Sequence, residues 1–321
     1  MKKKTLKEIA SIAHVSPATV SLVLNNKTGV GEEKRKAIRE LLEANGYPTE
    51  TSKTILFLKY RYHCKLVEEN QGSVASIFEY IVQECKVHGY RVTMIACDHA
   101  LEETLQELDM ASFCGVIVLG TELQPEQYSL LDMIEAPYLV LDNNMKGHVC
   151  STVGIDNEEG VRSALSLCNE AEIAYLKSSS WTANFQERSD ALFSAAAEMG
   201  LSVKTLLLEP TLLGAYESIK RLMPFQLPRF ACADNDIIAL GAMKALLEAG
   251  YDIPGDCSVV GFDDVPFAAI HVPSLTTVRV PKSMMGIQAV DQILKCIADA
   301  DYRYLKSRIS GQLVIRESTR A

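Results

Sequence analysis

Two hydrophobic rhythms divide this chain. Over the first fifty residues, apolar positions recur every three to four places, the period of helices lying on a small core. Thr5 and Glu8 stand three apart at the start of a run carrying Leu6, Ile9, Ala10 and Ala13. A cap hydroxyl and a carboxylate at that spacing satisfy each other's exposed amides, so a helix is predicted from Thr5. His14-Val15-Ser16 interrupts it. Ser16 can cap a second helix with Pro17 at its first position, where the missing N–H costs nothing. Val20, Val23 and Leu24 then face inward, and Asn25-Asn26 closes the helix. A third is predicted from Glu32 to about Asn45, with Ala37, Ile38, Leu41 and Leu42 inward and Gly46 just past its end. From residue 54 the rhythm changes. Short apolar runs at Ile55–Leu58, Tyr90–Ala96, Val116–Leu119, Tyr138–Leu141, Ile173–Leu176, Val203–Leu208, Phe230–Ala233 and Ser258–Phe262 alternate with helical patterns such as Ser76–His88, Gln186–Met199 and Ile237–Glu248. Such alternation predicts an α/β body of parallel sheets covered by helices. Eight strands fit two doubly wound units better than one.

Composition agrees with a globular protein. The chain has 321 residues, 48% hydrophobic and 23% charged, with a mean hydropathy of +0.05, and is long enough for two or three domains. No uncharged apolar run reaches the ~18 residues of a membrane-spanning helix. The opening Met-Lys-Lys-Lys is followed by charged, interrupted sequence rather than the smooth apolar stretch of an export signal, so a cytoplasmic location is expected. Nine widely spaced cysteines with no C-x-x-C pair fit buried thiols better than a disulfide framework or a zinc site.

Charge changes the picture more. The net charge of −9 argues against nucleic acid, but it is unevenly spread. Residues 1–50 carry nine Lys/Arg against six Glu, a surplus of +3, while the remainder carries −12. Two short helices joined by a tight turn and covered by a third form a helix-turn-helix layout, although this spacing suits an unrelated small bundle equally well. The residues themselves separate the two. T-L-K-E-I-A-x-x-A-x-V-S-x-A-T-V-S-x-V-L-N-N and V-G-E-E-K-R-K-A-I-x-E-L-L-E-A-N-G-Y resemble the head of the LacI/GalR family of bacterial transcription regulators. The resemblance implies a double-stranded DNA operator as partner. Ser16, Thr19, Ser21 and Asn25 then become phosphate contacts, with Thr5 at the edge of the same surface. Lys3, Lys4 and Arg35 supply electrostatic attraction, and Pro17, Ala18 and Leu22 face the bases. Position 22 is commonly Arg in the family. Leucine offers a base only apolar contact, so readout is expected to be weak or A·T-leaning.

A second departure follows the head. The family usually places fifteen or more residues, including a short minor-groove helix, before the first body strand. Here Pro48 to Lys53 is polar and too short to hold an apolar helix. The expected division is a DNA-binding head at 1–48, a short linker at 49–53 and a body at 54–321. Within the body, one subdomain is expected at about 54–155 and 281–306, the other at about 156–280 and 307–321. Without the minor-groove wedge, little DNA bending is expected.

In open α/β sheets, ligands bind beyond the carboxyl ends of the strands. By that rule Tyr60 and Arg61, Asp142, Asn235 and Asp236, and Asp263 and Asp264 are cleft candidates. Asp236 can equally cap the next helix and Asp264 can equally belong to a turn. The resemblance extends into this region through A-D-N-D-x-x-A-x-G-A at 233–242, I-P-x-D-x-S-V-V-G-F-D-D at 253–264, P-S-L-T-T-V at 273–278 and L-V-I-R-E-S at 313–318. It implies a body similar to periplasmic sugar-binding proteins, with three crossings near residues 155, 280 and 307. It also implies ligand contacts by Arg188, Asn235 and Asp263, whose forked donors and carboxylate suit neighbouring sugar hydroxyls. Trp181 and Phe185 precede Arg188 and could stack on a sugar face, although Trp181 fits core packing as well. Val280 stands where the family often has Gln, which removes a hydrogen bond. His271 lies where a dimer partner approaches in the family.

No nucleotide-binding, nucleophile-elbow or metalloprotease motif occurs, so no catalysis, cofactor or metal is expected. The expected function is a homodimeric repressor controlled by a small effector, a sugar or derivative. The alternative is a cytosolic solute-binding sensor whose DNA binding has degenerated.

Overall fold

The computed structural model describes residues 4–24, 27, 29–47, 53–64, 66, 71–224 and 226–320. The head is three helices, α1 (Leu6–Ile12), α2 (Pro17–Leu24) and α3 (Glu32–Ala44). Their ends are set by local hydrogen bonds. The Glu8 amide donates to Thr5 Oγ1 at 3.4 Å and the Thr5 amide to Glu8 Oε2 at 2.6 Å, which satisfies donors that an open helix start would leave exposed. His14 turns the chain with a left-handed φ of +53°. The Thr19 amide donates to Ser16 Oγ at 3.1 Å and so caps α2. After α3, Gly46 at φ +71° lets the Gly46 and Tyr47 amides fold back onto the Glu43 and Leu42 carbonyls, both at 2.9 Å. Ile9, Ala10, Val20, Val23, Ile38 and Leu42 make the head core.

Ala37, expected inward, is exposed, and Arg35 and Arg39 take buried positions on α3 instead. Arg39 Nη1 donates to the Ala111 carbonyl at 3.1 Å, which seats the head against the body.

The body alternates β1 (Thr54–Arg61), α4 (Gln71–Val87), β2 (Arg91–Asp98), α5 (Leu101–Glu107), β3 (Gly115–Leu119), β4 (Tyr138–Leu141), β5 (Ser151–Asp156) and α6 (Asn157–Leu165). It continues with β6 (Glu172–Ser178), α7 (Ala183–Met199), β7 (Ser202–Leu208), α8 (Leu212–Leu222), β8 (Phe230–Ala233), α9 (Asp236–Glu248), β9 (Ser258–Asp263) and α10 (Pro266–Ile270). The last elements are β10 (Thr276–Arg279), α11 (Lys282–Ala298), β11 (Lys306–Ser310) and β12 (Gln312–Val314). One sheet runs β11-β5-β4-β3-β1-β2, all parallel. The other runs β12-β10-β9-β8-β6-β7, parallel except for β12. Both faces of β1 are covered. Ile55 and Phe57 join one buried cluster, and Leu56, Leu58 and Tyr60 join another. This is the near-continuous apolar run expected of a strand buried on both sides.

The chain crosses between units three times. β5 runs straight into α6, which packs on α7 and β10 of the second unit. β10 leads into α11, which packs on α4 and β3 of the first. The third crossing lies at Gly311 rather than near 307, because Lys306–Ser310 pairs with β5 in the first sheet. A Cβ at Gly311 would meet Val278 Cγ1 at 2.6 Å, so the close approach of the crossing strands excludes a side chain. The four strands beyond the eight expected, β5, β10, β11 and β12, all adjoin these crossings. They are short, mixed in polarity or both, and so carry little apolar signal. The expected linker at 49–53 lies outside the described residues except for Lys53.

Candidate functional site

On the head, Pro17, Ala18 and Ser21 of α2 are exposed, and Thr19 and Leu22 are half-buried. Ser16 and Thr5 already serve as caps. The Thr5 hydroxyl also donates to Glu8 Oε2 at 2.9 Å, and the Ser16 and Thr19 hydroxyls share a hydrogen bond at 2.8 Å, so one hydroxyl of that pair keeps its hydrogen for an outside acceptor such as a phosphate. Arg35 does not fit its expected role. Its side chain is buried and Nη2 donates to the Lys27 carbonyl, so it braces the loop between α2 and α3. Exposed cations in the described head are Lys4, Lys7, Lys27, Lys34 and Lys36, and the last four are charges the residue-by-residue reading passed over. Asn25 and Lys3 lie outside the described residues.

In the body, the carboxyl ends of the two sheets face each other across a cavity of about 70 Å³. Arg188, near the start of α7, is its buried centre. Nε donates to Asn157 Oδ1 at 2.9 Å, Nη1 to the Asp234 carbonyl and Nη2 to Asp263 Oδ1 at 3.4 Å. The guanidinium also lies 3.7 Å from the Phe262 ring centroid, so its orientation is set from several sides. Asp263 ends β9 at φ +114°, a strained conformation that turns its side chain to the cavity. Asn235, rather than Asp236, caps α9 by accepting from the Ile238 amide at 3.0 Å, which leaves its amide hydrogens for the cavity. Asp236 lies beneath and accepts from the Val265 amide and the Thr277 hydroxyl. Burial pushes its carboxyl up to about 8. Asp264 belongs to a turn clamped by Arg279 and Arg316.

Asp142 follows β4 at φ +66°. It accepts from Thr121 Oγ1 at 2.6 Å and, across the cleft, from Asn184 Nδ2 at 2.8 Å. Desolvation lifts it to about 6 against those bonds. Phe185 lines the same cavity.

Three candidates lie elsewhere. Tyr60 is fully buried, with its hydroxyl bonded to Gln127, and Arg61 is paired with Asp98 through Nε at 2.6 Å. Both are still inside β1, which runs three residues beyond the expected end and pairs Tyr60 and Arg61 with Cys97 and Asp98. They therefore do not reach the cleft. Trp181 lines a separate open groove of about 730 Å³ with Tyr128, Glu187 and Arg308. The reading also missed much of the cavity wall: Leu66, Ile77, Thr121, Asn184, Lys282 and Met285. Of these, only Asn184 had a visible signal, as a polar residue one helical turn before Arg188. Among the described residues, no group of three or more potential ligands could hold a metal.

Comparison with known proteins matches two stretches of the chain. Residues 5–50 match the bacterial regulatory proteins of the lacI family, and residues 168–319 match a periplasmic binding protein-like domain. The HTH-type transcriptional repressor PurR of Mannheimia succiniciproducens is 26% identical over 98% of this chain and 98% of its own. The HTH-type transcriptional regulator RegA of Clostridium saccharobutylicum is 27% identical over 98% and 99%. Among solved structures, the regulator CelR in complex with cellobiose superposes with a TM-score of 0.72 at 22% identity, over 98% of this chain and 99% of that one. The Lac repressor dimer bound to operator and the anti-inducer ONPF gives 0.74 at 20%, over the whole of both chains. At such identities the structural likeness speaks for the fold.

Proposed function

The chain belongs to the LacI/GalR family of DNA-binding transcription regulators, and from that premise we propose how its parts work together. Two copies bind a two-fold operator through their α2 helices. A small effector between the body subdomains changes how the heads are held. The observation that carries this reading is the cavity itself, where Arg188, Asn235 and Asp263 of one subdomain meet the first subdomain through the Asn184–Asp142 bond. A ligand bridging the two walls favours one relative placement, and its control over DNA is limited to its difference in affinity between placements. Arg39 ties the head to the first subdomain, so a shift of that subdomain is passed to the head. The short linker makes spacing of the two heads, rather than ordering of a linking helix, the means of control.

A sugar or derivative is the proposed effector class, since paired donors and acceptors in fixed geometry match neighbouring hydroxyls. The cellobiose complex of CelR is a precedent on the same fold. Dimerisation is supported by a second-subdomain patch around His271, where Phe267, Ile270 and Val272 are exposed by 64%, 72% and 82%. Among the described residues no helix is long and apolar enough to cross a membrane, and a DNA-bound role places the protein in the cytoplasm.

Footprinting on DNA upstream of its own gene, with bending measured by circular permutation, tests the reading. A protected two-fold site with little central bend is expected. Binding indifferent to sequence would instead support a solute sensor with degenerate DNA binding.

A further inference from the structure

The two walls of the effector cavity differ sharply in chemistry. On the second-subdomain side, Arg188, Asn235 and Asp263 present donors and a carboxylate. The first-subdomain side and the crossing beside it present Leu66, Val74, Ile77, Leu119, Val280 and Met285. The polar groups on that side are mostly engaged. The Thr121 hydroxyl donates to Asp142, Asp142 accepts from Asn184, and Lys282 Nζ donates to the Asp263 and Asp264 carbonyls at 3.2 and 3.4 Å. Among the described residues on that side, Ser73 is the remaining small hydroxyl. A ligand hydroxyl turned to Leu66, Val74, Ile77, Leu119, Val280 or Met285 would be buried against apolar side chains, which costs affinity, whereas a methyl group there gains it.

Size narrows the choice further. The cavity is about 70 Å³, against the roughly 150 Å³ of a cavity that admits benzene. One ring needs a modest opening of the subdomains, and two rings need a much larger one. Among the described residues Phe185 is the one aromatic side chain lining the cavity, so a flat base finds no pair of rings there to lie between.

Resting on the reading of this cleft as an effector site, we infer that the effector is a single-ring, partly deoxygenated monosaccharide. Its adjacent hydroxyls lie on Arg188, Asn235 and Asp263, and its methyl or deoxy edge lies on the Val280–Met285 wall.

The full-length protein is titrated calorimetrically with matched pairs that differ by one hydroxyl: D-fucose and D-galactose, D-quinovose and D-glucose, L-rhamnose and L-mannose. Cellobiose and adenine are included. At least one deoxy sugar is expected to bind tenfold or more tightly than its parent. Val280→Gln, which puts an amide on the apolar wall, is expected to reduce that preference below threefold, with circular dichroism and a cooperative melting transition as the check on folding. A parent hexose that binds as well as its deoxy partner in every responding pair overturns the inference. So does tighter binding of cellobiose or adenine, or an unchanged preference in a folded Val280→Gln variant. Absence of binding by the whole panel overturns it too. In that case, release of the operator complex by small molecules from a cell extract shows whether an effector exists at all, which separates this failure from failure of the broader reading.

Discussion

Glu122 is fully buried, yet it lies outside every motif. Its carboxylate accepts from the amides of Tyr62, His63 and Cys64 at 2.8, 2.7 and 3.0 Å through Oε2, and from Leu66 at 2.9 Å through Oε1. Those amides belong to the segment that leaves β1 and carries Leu66 to the cavity wall. Bonds to an ionised acceptor are among the stronger ones, and buried donors left without partners are costly. Glu122→Ala is therefore expected to destabilise the protein by about 2–4 kcal/mol. Hydrogen exchange at residues 62–66 should accelerate while the Leu56–Leu58 amides stay protected. Unchanged exchange at 62–66 would show that other contacts hold the segment. Tyr60 teaches the opposite lesson. It looked like a cleft residue because the apolar run fades after Leu58, whereas pairing with β2 carries the strand on to Arg61.

Among the elements, α2 is the helix proposed to read the bases, and it presents no long hydrogen-bonding side chain at its described exposed positions. Pro17, Ala18 and Ser21 are exposed and Leu22 is half-buried. Bidentate recognition of guanine needs a fork of donors such as arginine supplies. Selection of bound sites from random duplexes is expected to return no strict guanine opposite Leu22, and Leu22→Arg is expected to create that preference, with discrimination of about 1–3 kcal/mol. A strict guanine selected by the native protein would refute this account of α2. The helix ends of the head were legible in advance because capping is local: Thr5, Glu8, Ser16 and Gly46 lie within a few residues of the groups they satisfy. The crossing strands were not, because β10 (TTVR), β11 (KSRIS) and β12 (QLV) mix polar with apolar positions and are held by partners far away in the chain.

For the whole molecule, the subdomain junction concentrates buried acids. Burial raises Asp142 and Asp234 to about 6 and Asp236 to about 8. An acid raised in this way holds its proton when folded over a range where the unfolded chain has released it, so folding binds protons there. The contribution of these three acids to stability then falls as pH rises from about 4 to 8, and the stretch above pH 6 belongs to Asp236. Asp236→Asn mimics the neutral carboxyl and can still accept from Val265 and donate to Thr277. Its melting temperature is expected to vary less than the native protein's between pH 6 and 8.5. Each 1 kcal/mol of the difference is worth about 2–4 °C at this size. Equal slopes would mean that Asp236 does not titrate in that range. The acidic body also sharpens the meaning of the basic head: a surplus of only +3 over fifty residues must grip DNA beside a chain that repels it.

The order of residues alone determined the helical head, its caps, the two-unit α/β body and the placement of Asn235 and Asp263 at the cleft, because each rests on local periodicity, local caps or strand ends, and the resemblance to the family added Arg188. Tertiary structure alone decided which strand ends reach the cleft, that Arg35 braces the head instead of facing DNA, that the third crossing falls at Gly311, and that one wall of the cavity is apolar. These depend on which distant segments meet, and a side chain's role follows from what is packed against it.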